Sequence, residues 1–357
     1  MKLFAVVLAG GKGERFWPKS KSNFPKQFVA LFGKDSLIQQ TYKRTKKVIP
    51  LANQYYVIPK TLTALLKKQI PLKNKNIIHE PFGRNTAPAI ALSAIYLEKI
   101  SPDATMIVLP ADHLIENEDK FFDCIRFANE IAQKGYLVTF GIPPSHSDTG
   151  YGYINIKDHY STMDGINSYF ANKFVEKPDL TTAQKYLKAK TYFWNSGMFV
   201  WKISTILDAV KQCLPEFYYV LKDFQQSIGT KKEQTLLNRI YKDAPATSID
   251  YAILEKMKNI IVIKANFIWD DVGSWQALER HFVKDENGNV AIGAFSGKDT
   301  KNSIIVNDEG IVATMGVKNV IIVKTKDALL LVSKDKAADL KELIKQINKN
   351  KAYHKYL

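Results

Sequence analysis

The chain has 357 residues, more than one typical domain, and a hydrophobic content of 46% that supports a sizeable core. Its formal charge of +16 rests on 51 basic residues, 45 Lys and only six Arg, scattered over the whole length, whereas base-edge and bidentate phosphate reading favour Arg, so a solvated surface is expected and no nucleic-acid partner. No apolar run approaches a membrane span, and Cys124 and Cys213 have neither metal spacing nor a disulfide framework, so the expectation is a cytoplasmic protein without a membrane partner.

In chain order, Leu3 to Ala9 is a short, near-continuous apolar run, as expected for a strand covered on both faces of a parallel sheet. The start, MKLFAVVLAGG, has the outline of a signal peptide, but its apolar part is minimal and cleavage would destroy the glycines that follow. A first strand is the better reading. Gly10, Gly11 and Gly13 remove side chains where backbone must approach a ligand, and Arg15, Lys19, Lys21 and Lys26 follow within one loop. Bare N–H groups and cations at the carboxyl end of a strand suit polyphosphate. Phe16 stands where a dinucleotide fingerprint needs its third glycine, and Val6 where a Walker A loop needs its first.

Ser36 with Gln39 forms a capping box before a helix to about Lys47. Tyr55 to Ile58 and Asn76 to His79 read as strands, with a helix from Leu62 to about Ile70 between them. A further helix starts near Thr86, with Pro88 tolerated in its first turn. Glu80, Arg84 and Asn85 therefore lie between a strand end and a helix start, either the ligand side of an open sheet or an ordinary capped crossover. Thr105 to Leu109 is another buried strand delivering Asp112, which by position is as well a turn aspartate as a Mg²⁺ anchor; His113 reads as structural.

From Gly150 the pattern changes to a hairpin-like TGYGYINI, then SYFANKFVEKPD, a helix capped by Thr181 and Gln184, and TYFWNSGMFVWK. Pro215 to about Met257 reads as helical scaffold, including SIDYAILEK. A strand at Ile260 to Lys264 precedes FIWDDVGSW, with the adjacent carboxylates Asp270 and Asp271. After His281 come four short strands, Asn302 to Val306, Ile311 to Thr314, Val320 to Lys324 and Leu329 to Val332. Their spacing of about nine residues suits a sandwich or β-helix, and a helix from about Lys336 to Asn348 closes the chain.

Gly10-Gly11-Lys12-Gly13-Glu14-Arg15 followed by Pro25-Lys26 resembles the signature of sugar-1-phosphate nucleotidylyltransferases. The fuller GGKGERFWPKSKSNFPKQF resembles their mannose-1-phosphate guanylyltransferase branch, and the likeness spans essentially the whole chain. It implies an α/β fold: a Rossmann-like, mostly parallel sheet over residues 1–285 and a small β-rich, β-helix-like domain over 286–357 without catalytic motifs. It implies nucleotide binding by Leu8, Gly10, Gly11, Gly13, Glu80, Arg84 and Asn85, and sugar-phosphate binding by Gly152, Glu176, Lys177 and Asn195. Catalytic roles fall to Arg15, Lys26 and Asp112, with Mg²⁺ on Asp112 and Asp271, Asp270 being the competitor. The implied reaction joins GTP and mannose 1-phosphate, in a homodimer, and no isomerase activity is implied. A thymidylyl- or uridylyltransferase acting on glucose 1-phosphate, or a non-catalytic sugar-nucleotide sensor, are the alternatives; a sensor has no need of Arg15, Lys26, Asp112 and Asp271 together.

Overall fold

The computed structural model describes residues 2–11 and 13–357; Lys12, part of the glycine-rich motif, lies outside them. Two compact units are present. Unit 1 takes the residues up to Gly10, Thr41–Ala111 and Ile115–Trp269; unit 2 takes Gly11–Gln40, Asp112–Leu114 and Asp270–Leu357.

Unit 1 is built on a nine-stranded mixed sheet. Strands β1 (Leu3–Leu8), β2 (Gln54–Pro59), β3 (Ile77–Glu80) and β4 (Thr105–Pro110) run parallel in the order β3-β2-β1-β4. Their apolar runs are buried on both faces, as a parallel sheet requires. Because these strands point one way, their carboxyl ends carry Leu8, Glu80 and Pro110 to one edge. There Leu8 O accepts the Ala111 N–H at 3.0 Å. The short β5 (Leu114–Glu116) precedes β6 (Leu137–Ile142), and β7 (Tyr153–Met163) and β8 (Ile166–Val175) form the expected hairpin. Strand β9 (Tyr192–Lys202) runs antiparallel between β4 and β6, while β10 (Ile260–Lys264) is parallel to β6 and antiparallel to β8.

Helix α1 (Leu37–Lys46) begins in unit 2, where Ser36 and Gln39 exchange backbone-to-side-chain hydrogen bonds at 3.0 and 3.3 Å, a complete capping box. Helix α2 (Thr63–Gln69) is short, and α3 (Thr86–Ile100) is apolar nearly all round because β1, α6 (Ile203–Cys213) and α7 (Pro215–Gln225) all pack on it. Its fully buried Ile90, Leu92, Ile95 and Leu97 each contribute about 1.5–3 kcal/mol of burial. Helix α4 is Glu118–Gln133, α5 is Leu180–Ala189 and α8 is Glu233–Asp243. In unit 1, α1 to α3 and α5 fall where the sequence reading put helices, α4 and α6 were not foreseen, and the stretch read as helical from Pro215 to about Met257 is divided into separate helices. The cap of α5 differs from the sequence expectation of Thr181 and Gln184. Asp179 adopts an extended backbone, and its Oδ1 accepts the Thr182 N–H at 2.8 Å. No helix among the described residues is long and apolar enough to cross a membrane.

Unit 2 begins on the glycine-rich loop and ends on the β-rich tail. After β11 (Ile268–Asp270) and α9 (Leu278–His281), strands β12 (Val290–Ile292), β14 (Ile304–Asn307) and β16 (Val320–Lys324) stack in parallel, as do β13 (Phe295–Lys298) and β15 (Val312–Met315). Strand β17 (Leu329–Ser333) closes on β16 antiparallel, and α10 (Leu340–Asn348) follows a 3-10 turn. Parallel stacking of short strands is the β-helix arrangement; β12 and β13 were not foreseen, each having only three or four residues. The sequence division at 285 is drawn by motif, but packing gathers other residues. Phe16 and Trp17 of the glycine-rich loop share one core with Val272, Trp275, Val290, Ile304, Val323 and Leu340. The Phe16 and Trp275 rings lie 4.9 Å apart, and Trp17 Nε1 donates to Tyr356 O at 2.8 Å.

Candidate active site

Within unit 2 the glycine-rich turn closes on an open pocket of about 410 Å³ lined by Gly13, Glu14, Arg15, Phe16, Lys26, Asp112, His113, Asp271, Gly273 and Lys341. Gly13 sits at φ +64°, and a Cβ there would come within 2.3 Å of Lys26 Cβ, so only glycine lets Lys26 approach. Lys26 is 5% exposed, and a buried ammonium needs partners. Its Nζ donates to Asp112 Oδ2 at 2.8 Å and to the Asp271 backbone O at 2.6 Å. Burial pushes the half-buried Asp112 carboxyl up, but Lys26 and His113 outweigh it and hold the group below the usual carboxylate range. Arg15 is aimed at the same pocket and donates to Gly273 O at 3.5 Å, while Gln27 Nε2 bonds Gly11 O at 3.1 Å.

The two neighbouring aspartates part company. Asp270 is 4% exposed and turned toward α9, where Arg280 and His281 hold it well below the usual range despite burial. Asp271 lines the pocket. A Cβ on Gly273 would lie 3.2 Å from Asp271 Oδ1, so the glycine leaves that carboxylate room.

Within unit 1, Glu80 is 6% exposed beside Gly10, whose added Cβ would lie 3.3 Å from Glu80 Oε2. Burial drives its carboxyl up to about 7, against partial relief from Tyr241 and the backbone of Arg84. Its Oε1 is buried without a hydrogen-bond partner among the described residues. Arg84 donates Nε and Nη2 to the carbonyls of Tyr241 and Lys242 at 2.9 and 2.5 Å, bracing the loop on α8. Asn85, at φ 69°, caps α3 through its Oδ1 on the Thr86 N–H at 2.8 Å.

A second group in unit 1 gathers the residues expected from the resemblance to bind the sugar phosphate. A Cβ on Gly152 would lie 2.7 Å from Glu176 Oε2 and 3.6 Å from Asn195 Cβ. Glu176 Oε1 accepts from the exposed Lys177 Nζ at 2.5 Å. Asn195 Nδ2 donates to Asp250 Oδ1 at 2.6 Å, bringing in a residue the motifs left without a role. Burial raises the Asp250 carboxyl; Asn195 offsets this in part and the Glu176 charge adds to it. Asp250 belongs to the SIDYAILEK segment, docked where Thr86 Oγ1 accepts the Ile249 N–H at 2.9 Å. A larger cavity of about 760 Å³ among α6, α7 and α8 contains none of the residues assigned by motif.

Two family models match the chain. Residues 4–288 match the nucleotidyl transferase model, and 297–347 match the MannoseP isomerase/GMP-like beta-helix domain. Among curated relatives, mannose-1-phosphate guanylyltransferase 2 of Escherichia coli O157:H7 is 38% identical over 97% of this chain and 73% of its own length. Mannose-1-phosphate guanylyltransferase of Klebsiella pneumoniae is 38% identical over 98% of this chain and 74% of its own. A crystal structure described as mannose-1-phosphate geranyltransferase from Thermus thermophilus is 32% identical, with a TM-score of 0.87 over 98% of this chain and 100% of that one. The chain belongs to the nucleotidyl transferase family, with the β-helix domain of the mannose-phosphate branch at its carboxyl side.

Proposed function

We propose that the protein transfers GMP from GTP to mannose 1-phosphate, releasing pyrophosphate and leaving GDP-mannose. The observation that carries this is one pocket lined by Arg15, Lys26, Asp112 and Asp271, in a chain matched over nearly its full length by relatives named for that activity. A phosphate oxygen of mannose 1-phosphate attacks the α-phosphorus of GTP. As the new P–O bond forms, the bond to the bridging oxygen breaks and its electron pair leaves with pyrophosphate. A phosphate monoester has a second pKa of about 6, so the nucleophile is already deprotonated at neutral pH and no general base is needed. Positioning and charge neutralisation supply the acceleration.

Arg15 and Lys26 neutralise the phosphates, and the turn at Gly11 and Gly13 lets backbone N–H groups approach them. Glu80 receives the N1–H and N2–H donors of guanine on its unpartnered Oε1 and on Oε2. Glu176, Asn195 and Lys177 hold the sugar hydroxyls and phosphate, with Gly152 keeping the space beside Glu176 open. The carboxylates of Asp112 and Asp271 on one phosphate pocket suit Mg²⁺, which takes one or two carboxylates with substrate phosphate oxygens. When bound, Mg²⁺ supplies additional positive charge to the phosphates. We place the enzyme in the cytoplasm as a homodimer, its contact on β17 where Leu329 and Leu331 are 62% and 63% exposed.

Following pyrophosphate release with each nucleoside triphosphate and each hexose 1-phosphate tests the reading. GTP with mannose 1-phosphate is the expected productive pair. Turnover only with thymidine or uridine triphosphate and glucose 1-phosphate would replace it, and no turnover with any pair would favour a sensor.

A further inference from the structure

One cation of the phosphate pocket comes from the β-rich side of the chain, which carries no catalytic motif. Lys341 lines the pocket together with Arg15, Lys26, Asp112 and Asp271, although it sits on α10. Its place there is enforced by packing. Leu340, 2% exposed, lies in the core with Phe16, Trp17 and Trp275, and α10 rests on the 3-10 turn Glu14–Phe16 that bears Arg15. The Lys341 backbone is thereby fixed next to Arg15 while its side chain is exposed.

The other two cations of the pocket are already engaged. Lys26 is held by Asp112 and the Asp271 carbonyl, and Arg15 reaches Gly273 O. Lys341 has no hydrogen bond or ion pair among the described residues. An unengaged ammonium on a helix packed against the turn that bears Arg15, lining the same pocket as Arg15 and Lys26, can act as a point charge for phosphate oxygens.

We infer that Lys341 is a substrate-binding residue of this pocket, contacting the polyphosphate chain of the nucleotide and the pyrophosphate it releases. The inference takes the identity of the nucleotide from the guanylyl-transfer reading, but itself requires only a polyphosphate ligand. It also gives the carboxyl-side domain a direct part in the site. A protein cut before α10 would lose a phosphate-binding charge as well as the packing beneath Phe16.

The test compares wild type with Lys341→Ala, Lys341→Arg and Lys345→Ala. The last removes the same charge one turn further along α10, outside the pocket lining. Isothermal titration with inorganic pyrophosphate reads binding without turnover, and steady-state kinetics read KM for each substrate. Lys341→Ala should weaken pyrophosphate binding and raise KM for GTP by about tenfold, the scale of one charge-assisted hydrogen bond. KM for mannose 1-phosphate should move by less than about twofold. Lys341→Arg should restore most of the loss, Lys345→Ala should behave as wild type, and all four melting temperatures should agree. Unchanged pyrophosphate affinity in Lys341→Ala, or an equal loss in Lys345→Ala, overturns the inference. If wild type makes no GDP-mannose while pyrophosphate binding still depends on Lys341, the transfer reading fails and the phosphate-binding role stands.

Discussion

Asp270 binds Arg280 with both carboxylate oxygens: Nε donates to Oδ2 at 2.6 Å and Nη2 to Oδ1 at 2.9 Å. His281 Nε2 adds a contact to Oδ2 at 2.7 Å, and Oδ1 also accepts the Val272 N–H at 2.7 Å. Val272 is fully buried at φ 50°, an unusual conformation for a β-branched residue. Asp270 thus holds the strained turn that leads out of Asp271, the neighbour whose carboxylate lines the pocket.

The two aspartates should fail in different ways. Asp271→Asn is expected to lower kcat by at least about 10²-fold with little change in melting, since metal charge stabilisation is worth several kcal/mol. Asp270→Asn should cost stability, about 3 kcal/mol, because one partner of a buried ion pair is removed while Arg280 stays partly hydrated. The pH dependence has a definite sign. His281 and Arg280 depress the Asp270 carboxyl, so its contribution is present above the ordinary carboxylate range and is lost as pH falls through the depressed value. Melting curves from neutral to acid pH check this, and full activity in Asp271→Asn would move the metal assignment from Asp271 to Asp270.

Arg15 and Lys177 serve different substrates in the proposed mechanism, and kinetics can separate them. Lys177→Ala should raise KM for mannose 1-phosphate far more than KM for GTP. Arg15→Ala should lower kcat by roughly 10²- to 10³-fold with a smaller effect on sugar affinity, the scale of one preorganised charge-stabilising donor. Weakened GTP binding alone in Lys177→Ala would remove the sugar roles of Glu176 and Asn195 as well.

Glu80 should leave a pH signature. Burial raises its carboxyl to about 7, so the folded protein holds the proton more tightly than the unfolded chain. Ionisation therefore costs stability as pH rises from the ordinary carboxylate range through 7. Glu80→Gln should stabilise the ligand-free protein by about 2 kcal/mol at pH ~8 relative to its effect at pH ~5, while raising KM for GTP. Calorimetry at both pH values measures the difference; equal effects at the two would mean that Glu80 does not ionise in this window.

The proposed dimer predicts a surface lesion. Leu329 and Leu331 alternate with the buried Leu330 along β17 and so share one exposed face. Replacing both by Lys should halve the mass seen by light scattering without lowering the melting temperature, since neither side chain is in a core. A monomeric wild type would refute the assignment. Deleting the domain is a poorer probe, because Phe16 and Trp17 lose their packing with it.

Several features were legible in the sequence because they depend on near neighbours. The buried runs of β1 to β4, the capping box of Ser36 and Gln39, the hairpin after Tyr153 and the short strands of the tail all follow from periodicity or from contacts within a few residues. The residue types that suit phosphate chemistry were visible for the same reason, crowded into one loop after a strand.

Tertiary structure alone decided which groups meet. Asp270 and Asp271 are the same residue type side by side, distinguished in the sequence only by the resemblance that favoured Asp271, and their opposite settings depend on where Arg280, His281 and Lys26 arrive. The need for glycine at 13 comes from Lys26 packing beneath it, and Asp250 gained a partner only when β9 placed Asn195 against it. Lys341 carried no signal at all, being one lysine among many until Leu340 beside it was buried with Phe16 and Trp275. A side chain's chemistry is local, but its direction and company are set by packing between residues far apart in the chain, which no local pattern encodes.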